Sequence, residues 1–297
     1  MTRESVSEHY RSGPLGPRVQ AALQAAGLNS PGVSWEAFAP IDEFHVGGLD
    51  ATRALAQALA PDPGATVLDL GSGLGGPARM LAAERGCDVT GVDLSDEFVA
   101  VATSLTSLAG SDQRVRFQVA DVTALPFADQ SFDHAVTIHV AMNIADRAGF
   151  YAEARRVLRL GGRLAILDVV ARAGDGGSGD GGDGGDGEPL RFPVPWSTTP
   201  ETSHLLTLGE TIAELKLATF DIIDAVDRTA WSLDWFAAQG RAAAARGRAA
   251  AAAGSPPPLG LGVVMGDRFA AMGANLVANM TAGRVGVAQI VASRGDR

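Results

Sequence analysis

Cys87 is the only cysteine in 297 residues, and Lys216 is the only lysine. A single thiol rules out an intramolecular disulfide and leaves a cysteine-based zinc site without ligands, so no metal is expected and a reducing cytoplasm is the expected compartment. Positive charge is scarce: 24 Lys and Arg stand against 34 Asp and Glu, for a formal net charge of -10. Such a chain repels phosphate backbones and the anionic cytoplasmic leaflet, which excludes nucleic acid and membrane as expected partners and leaves a small molecule. Long apolar runs are missing as well. The opening MTRESVSEHYRSGPLG carries charges and glycines where a signal peptide needs a hydrophobic stretch, and no later segment reaches the ~20 apolar residues of a membrane span. What remains is 46% hydrophobic residues in short runs, enough for a core, in a length that suits one large α/β domain.

Those short runs have alternating periods. Leu15, Val19, Leu23 and Ala26 fall on one helical face ahead of Gly27, which makes residues 1–48 an N-terminal helical lid. LDATRALAQALA predicts a second helix, with Asp50 as its N-terminal cap and Pro61 and Pro63 ending it. From 65 onward, strand and helix alternate: ATVLDL, PARMLAAER, DVTGVDL, EFVAVATSLTSLAG, VRFQVAD, HAVTIHV, GFYAEARRVLRLGG, RLAILDVV. That alternation implies a doubly wound parallel sheet with helices on both faces. Residues 174–187, almost all Gly and Asp, have no apolar side chain to order them and read as a surface loop. A helix near 207–217, a strand near 219–226, an alanine-rich helix to about 253 and a helix near 263–280 follow. RVGVAQIVAS then supplies a seventh strand, and residues 49–297 form the main domain with acceptor-covering helices over about 228–280.

Chemistry concentrates in VLDLGSGLGGPARMLA, residues 67–82. Gly71, Gly73 and Gly76 satisfy the dinucleotide-binding spacing, and Asp93 follows about 20 residues on, where a ribose-binding carboxylate belongs. The spacing alone also fits a nicotinamide-dependent oxidoreductase. Asp69, two positions before the first glycine, argues against that, because a carboxylate there repels pyrophosphate and suits a ligand with an ammonium group and no phosphate.

With those residues in place, the segment resembles the first motif of class I S-adenosylmethionine-dependent methyltransferases. GVDLS is similar to that family's ribose-binding position, VADVTALPF to its adenine-side position, and LPFADQSFDHAV and EARRVLRLGGRLAILD to its fourth and fifth strand regions. GLGGPAR, DEFHVGGLDATR and HVAMNIADRAGFYAEARRVLR resemble the branch that holds glycine, sarcosine and dimethylglycine N-methyltransferases. The resemblance implies a Rossmann-like seven-stranded, mostly parallel sheet, with helical insertions after the fifth strand. It implies S-adenosylmethionine as cofactor, with S-adenosylhomocysteine as product. Asp69, Gly71, Ser72, Gly73, Gly75, Asp93, Leu94, Asp121, Val122 and His139 are then the cofactor-binding candidates.

Around the reacting centre, His139 is the catalytic candidate, and Tyr10, His45, Met142, Asn143 and Trp196 are substrate-binding candidates. Trp231 and Trp235, four residues apart, suit lid packing better than an aromatic cage. An amine acceptor needs only to be unprotonated, whereas a hydroxyl needs a base such as His139 or His45. The expected activity is methyl transfer to an amine nitrogen or a natural-product hydroxyl. Open alternatives are C-methylation of a prenyl diphosphate or related precursor and cofactor binding without catalysis; a homodimer is also left open.

Overall fold

A computed structural model describes residues 14–172, 189–253 and 259–296. Tyr10 and the Gly/Asp segment 174–187 lie outside the described residues. Seven strands form one sheet: β1 (Thr66–Leu70), β2 (Asp88–Asp93), β3 (Val115–Val119), β4 (Phe132–Ile138), β5 (Leu158–Ala171), β6 (Phe220–Asp227) and β7 (Val285–Arg294). Their order is β3-β2-β1-β4-β5-β7-β6. Only β7 runs against its neighbours, pairing antiparallel with both β5 and β6. The fold is therefore Rossmann-like and mostly parallel. The strand order reverses at β1, flanked by β2 and β4, and a crevice opens beyond the carboxyl ends of the strands there.

The apolar runs are continuous because helices cover both faces of the sheet. Along β1, Val67 packs with one face and Leu68 and Leu70 with the other, all fully buried. Against the Val67 face lie α3 (Gly48–Leu59) and α4 (Gly76–Arg85), through Leu55, Leu59, Met80 and Leu81. The Leu68 face receives α6 (Arg147–Val157) through Phe150 and Tyr151, and α7 (Leu208–Leu217) through Leu215. A third apolar cluster seats the N-terminal helix. There α1 (Leu15–Ala25) buries Leu15, Val19 and Leu23 against Val101 and Leu105 of α5 (Asp96–Leu108) and Val264 of α9 (Gly262–Met265). A one-turn α2 (Ala39–Asp42) then leads the chain to the sheet edge.

Several local expectations change in the structure. Asp50 does not cap α3; the cap is Gly47, at φ 89°, and it makes no side-chain hydrogen bond. Gly47 is required because Trp231, on α8 (Thr229–Ala253), packs on its Cα, where a Cβ would sit 2.6 Å from the indole. The helix read over 149–162 ends at Val157, and RLGG continues as β5. The helix read over 263–280 divides into α9 and α10 (Phe269–Thr281), parted by Gly266 at φ 73°. No helix among the described residues is long and apolar enough to cross a membrane.

Candidate active site at the carboxyl edge of the sheet

A cavity of about 420 Å³ opens along the carboxyl ends of β3, β2, β1 and β4. Its first half is built by the loop after β1. Gly71 and Gly73 take φ 78° and 53°, a left-handed backbone that favours glycine. The space for a Cβ is also taken: at Gly71 it would collide with Val140, and at Gly73 it would lie 2.7 Å from the Phe44 ring. The loop glycines thus admit neighbouring protein as well as ligand. Gly71, Ser72 and Gly73 line the cavity. Gly75, the fourth loop candidate, caps α4 at φ 80° and packs under Phe117 rather than lining the cavity.

Three strand-end aspartates face this half. Asp93 is tied to the glycine loop, its Oδ2 accepting from Gly73 N at 2.9 Å and its Oδ1 from Ser95 N at 2.9 Å. Burial raises its pKa, and those backbone donors oppose the rise. Asp121 accepts from Thr123 N at 2.9 Å and Thr123 Oγ1 at 2.7 Å, which fixes the turn after β3; Val122 and Leu94 complete that end. Asp69 is different. It is 2% exposed, its Oδ2 has no hydrogen-bond partner, and burial, with the carboxylates of Glu43 and Asp93 adding to it, pushes its pKa up to about 8. A buried carboxylate without a cation is unfavourable, and an ammonium-bearing ligand supplies what is missing. Buried Ser72 Oγ is likewise unpartnered. The donors and acceptors present fit the amino and ribose groups of S-adenosylmethionine.

The turn after β4 builds the second half. His139 follows the last strand residue at φ 54°, with its N donating to Leu167 O at 2.8 Å. Its Nε2 is buried and unpartnered; burial and the neighbouring His45 ring, 5.9 Å away, hold its pKa well below 6.5. His139 is therefore neutral, and a weak base. Asn143 is held by the chain, its Nδ2 donating to Trp196 O at 2.7 Å, and Trp196 is 1% exposed with Nε1 donating to Ser203 Oγ at 2.9 Å. Both line the cavity with Met142. His45 lines it too, but both ring nitrogens face oxygens of the chain: Glu43 Oε2 at 2.7 Å and Val46 O at 3.2 Å. Trp231 and Trp235 pack at Gly47 and Gly48, and among the described residues of 228–280 Met265 lines the cavity.

Sequence reasoning missed four contributors. Phe44 lies edge-on to Phe98 at 6.0 Å and roofs the glycine loop. Arg79, fully buried, binds Asp42 Oδ2 at 2.5 Å, Leu74 O at 2.6 Å and Thr106 Oγ1 at 2.8 Å, which ties the one-turn α2 to α4. Asp168 supports the turn after β4, its Oδ2 accepting from Ala141 N at 2.9 Å. It obeys the strand-edge rule that singled out Asp69 and Asp93. His204 lines the cavity from the segment before α7, a position no local pattern marks.

Residues 68–166 match the family model described as a methyltransferase domain. The methyltransferase GfsG of Streptomyces halstedii is 39% identical over 138 residues, 46% of this chain and 50% of that protein. The 2-methyl-6-phytyl-1,4-hydroquinone methyltransferase of Synechocystis sp. is 39% identical over 129 residues, 42% of this chain and 40% of that protein. The chain thus spans about half the length of the curated relatives it matches. A solved geranyl diphosphate C-methyltransferase from Streptomyces coelicolor A3(2) superposes with a TM-score of 0.66 at 16% identity, over 98% of this chain and 97% of that one. The [4+2]-cyclase SpnF superposes with a TM-score of 0.63 at 22% identity, over 99% and 97%. Both structural likenesses show a shared fold.

Proposed function

We infer that this chain, whose residues 68–166 match a methyltransferase domain, is an S-adenosylmethionine-dependent methyltransferase acting on a small molecule. The observation that carries the reading is the orphaned, buried carboxylate of Asp69 in the same cavity as Asp93, at the mouth of the glycine loop. A ligand with an ammonium and vicinal hydroxyls and no phosphate satisfies both aspartates; a pyrophosphate satisfies neither.

S-adenosylmethionine, when bound, supplies a methyl group already activated on a sulfonium sulfur. Asp69, Gly71, Ser72 and Gly73 would hold its amino-acid end, Asp93 and Leu94 the ribose, and Asp121 and Val122 the adenine. The chain's own part is positioning and exclusion of water. The Arg79–Asp42 bridge and Phe44 keep the lid over the loop. Asp168 sets the turn that presents His139, Met142 and Asn143 to the acceptor. Neutral His139 offers a lone pair that orients a donor group. An amine nitrogen and a hydroxyl both remain within this reading, and the protein is expected to work in the cytoplasm.

Calorimetric titration with S-adenosylmethionine, S-adenosylhomocysteine and NAD tests the cofactor, and transfer of a radiolabelled methyl to a panel of amines, phenols and prenyl diphosphates tests the reaction. Binding of NAD alone refutes the reading. A second reading, cofactor binding coupled to chemistry other than methyl transfer, draws on one observation: a protein of this fold over its whole length is named a cyclase. Tight S-adenosylhomocysteine binding without transfer to any acceptor would favour it.

A further inference from the structure

The acceptor half of the cavity is walled by two segments far apart in the chain. One is the turn after β4, with Val140, Met142 and Ile144; the other is residues 195–204, with Pro195, Trp196 and His204. The first lies inside the span that matches a methyltransferase domain, the second outside it. Apart from one turn of 3-10 helix at Pro200–Thr202, residues 194–204 contain no helix or strand. Ordering such a segment costs conformational entropy, so it makes a wall only where bonds hold it. Two side chains carry bonds across the seam. Asn143 Nδ2 donates to Trp196 O at 2.7 Å and to Thr202 O at 3.4 Å, which closes the loop between them. Arg147, 8% exposed and set behind the cavity wall, links the segments through Nε to Ile144 O at 3.2 Å and Nη2 to His204 O at 2.8 Å. His204 N donates to Met142 O at 2.8 Å beside them. Within the loop, Trp196 Nε1 donates to Ser203 Oγ at 2.9 Å and the Ser197 and Thr202 hydroxyls bond to each other, so its parts are held together.

Resting on the methyltransferase reading above, we propose that Asn143 and Arg147 are positioning residues for the acceptor: they hold residues 194–204 against the turn after β4, and the seam they close seats the acceptor's apolar body. The width between the two walls fixes where that body lies, and displacement of a reactant by about 1 Å is enough to slow a transfer. Asn143 suits the task because one amide nitrogen carries two protons and meets two carbonyls, a bridge that neither a carboxylate nor an alkyl side chain of its size can make. Its amide therefore acts on the acceptor through Trp196 and Thr202. The cofactor half is built separately. Asp93 takes its bonds from Gly73 N and Ser95 N, and Asp121 from Thr123, all away from the seam. Loosening the seam should then weaken acceptor binding and leave the cofactor in place.

The test uses the full chain saturated with S-adenosylhomocysteine, with 1-naphthol and 1-naphthylamine as apolar probes that carry a hydroxyl and an amine. Calorimetry on Asn143→Leu, which keeps the volume and loses both amide protons, is expected to show the bound probe weakened about tenfold. Asn143→Gln, which keeps the amide, should recover affinity to within about threefold of the wild type. Arg147→Lys keeps the charge but cannot reach both carbonyls, and should fall between the wild type and Asn143→Leu. In all three the S-adenosylhomocysteine dissociation constant should stay within about twofold, which also reports the fold. Hydrogen exchange on the same samples should quicken at 194–204 and stay unchanged at β1 and the glycine loop. Probe affinity undiminished in Asn143→Leu, a loss in Asn143→Gln as large as in Asn143→Leu, cofactor affinity falling in step with probe affinity, or binding of neither probe to the wild type overturns the proposal. Failure of S-adenosylhomocysteine to bind the wild type at all instead overturns the methyltransferase reading beneath it.

Discussion

An ammonium ligand settling against Asp69 must drive a proton off it, and that release can be counted. Burial, reinforced by Glu43 and Asp93, raises the Asp69 pKa from 3.8 to about 8. At pH 7 such a group is about nine-tenths protonated, so binding that requires the carboxylate form releases about 0.9 proton. The sign follows: affinity is weakest at low pH and tightens as pH rises toward about 8, above which the ligand's own ammonium deprotonates and affinity falls again. Between pH 6 and pH 7 the dissociation constant for S-adenosylmethionine should fall about ninefold. Isothermal titration at pH 7 in phosphate and in Tris separates this from other effects, because released protons are absorbed with different heats by the two buffers. Asp69→Asn removes the titrating group, and its slope subtracts the contribution of Asp93, which is also raised by burial. Enthalpies independent of buffer in the wild type, or a slope in Asp69→Asn as steep as that of the wild type, would refute the argument.

Other expectations follow from the same geometry. Because the folded state holds the Asp69 proton more tightly than the unfolded chain, stability without ligand falls between about pH 4 and pH 8, by at most about 1.4 kcal/mol per pH unit. Asp69→Asn should therefore raise the ligand-free melting temperature at pH 8 and leave it unaltered near pH 3, as scanning calorimetry can check. Asp93→Ala should weaken cofactor binding by about 1–3 kcal/mol through lost charge-assisted hydrogen bonds, with the far-ultraviolet circular dichroism unchanged. An unaltered dissociation constant would remove Asp93 from the site. Arg79→Met leaves Asp42 buried without its partner and should lower the urea-derived stability by about 3–5 kcal/mol. His139→Gln should slow transfer while holding S-adenosylmethionine affinity within a few-fold; a parallel loss of both would make His139 a cofactor contact, and no change would make it structural.

The sheet and the glycine-loop side of the cavity were legible because their signals are local. Continuous apolar runs such as VLDL and AILD report strands covered on both faces, and three glycines between β1 and α4, Gly71, Gly73 and Gly75, report a turn that no L-residue backbone makes easily. Asp69 and Asp93 were legible for the same reason: a strand-end carboxylate next to a glycine loop carries its position in its neighbours. Asp50 was misread as a cap because a cap depends on where the chain enters the helix. Here Trp231, some 180 residues away, dictates a left-handed glycine at 47 instead.

What sequence by itself determined is thus the order of strands and helices and the acids at the strand ends, both properties of segments a few residues long. Tertiary structure alone decided what each acid meets. Arg79 neutralises Asp42 across 37 residues, while Asp69 is left with a bare oxygen. It alone decided that His204, from a segment without pattern, joins His139 at one cavity. Charge, desolvation and proton affinity depend on everything within a few ångströms, and in a doubly wound sheet most of those neighbours come from elsewhere in the chain.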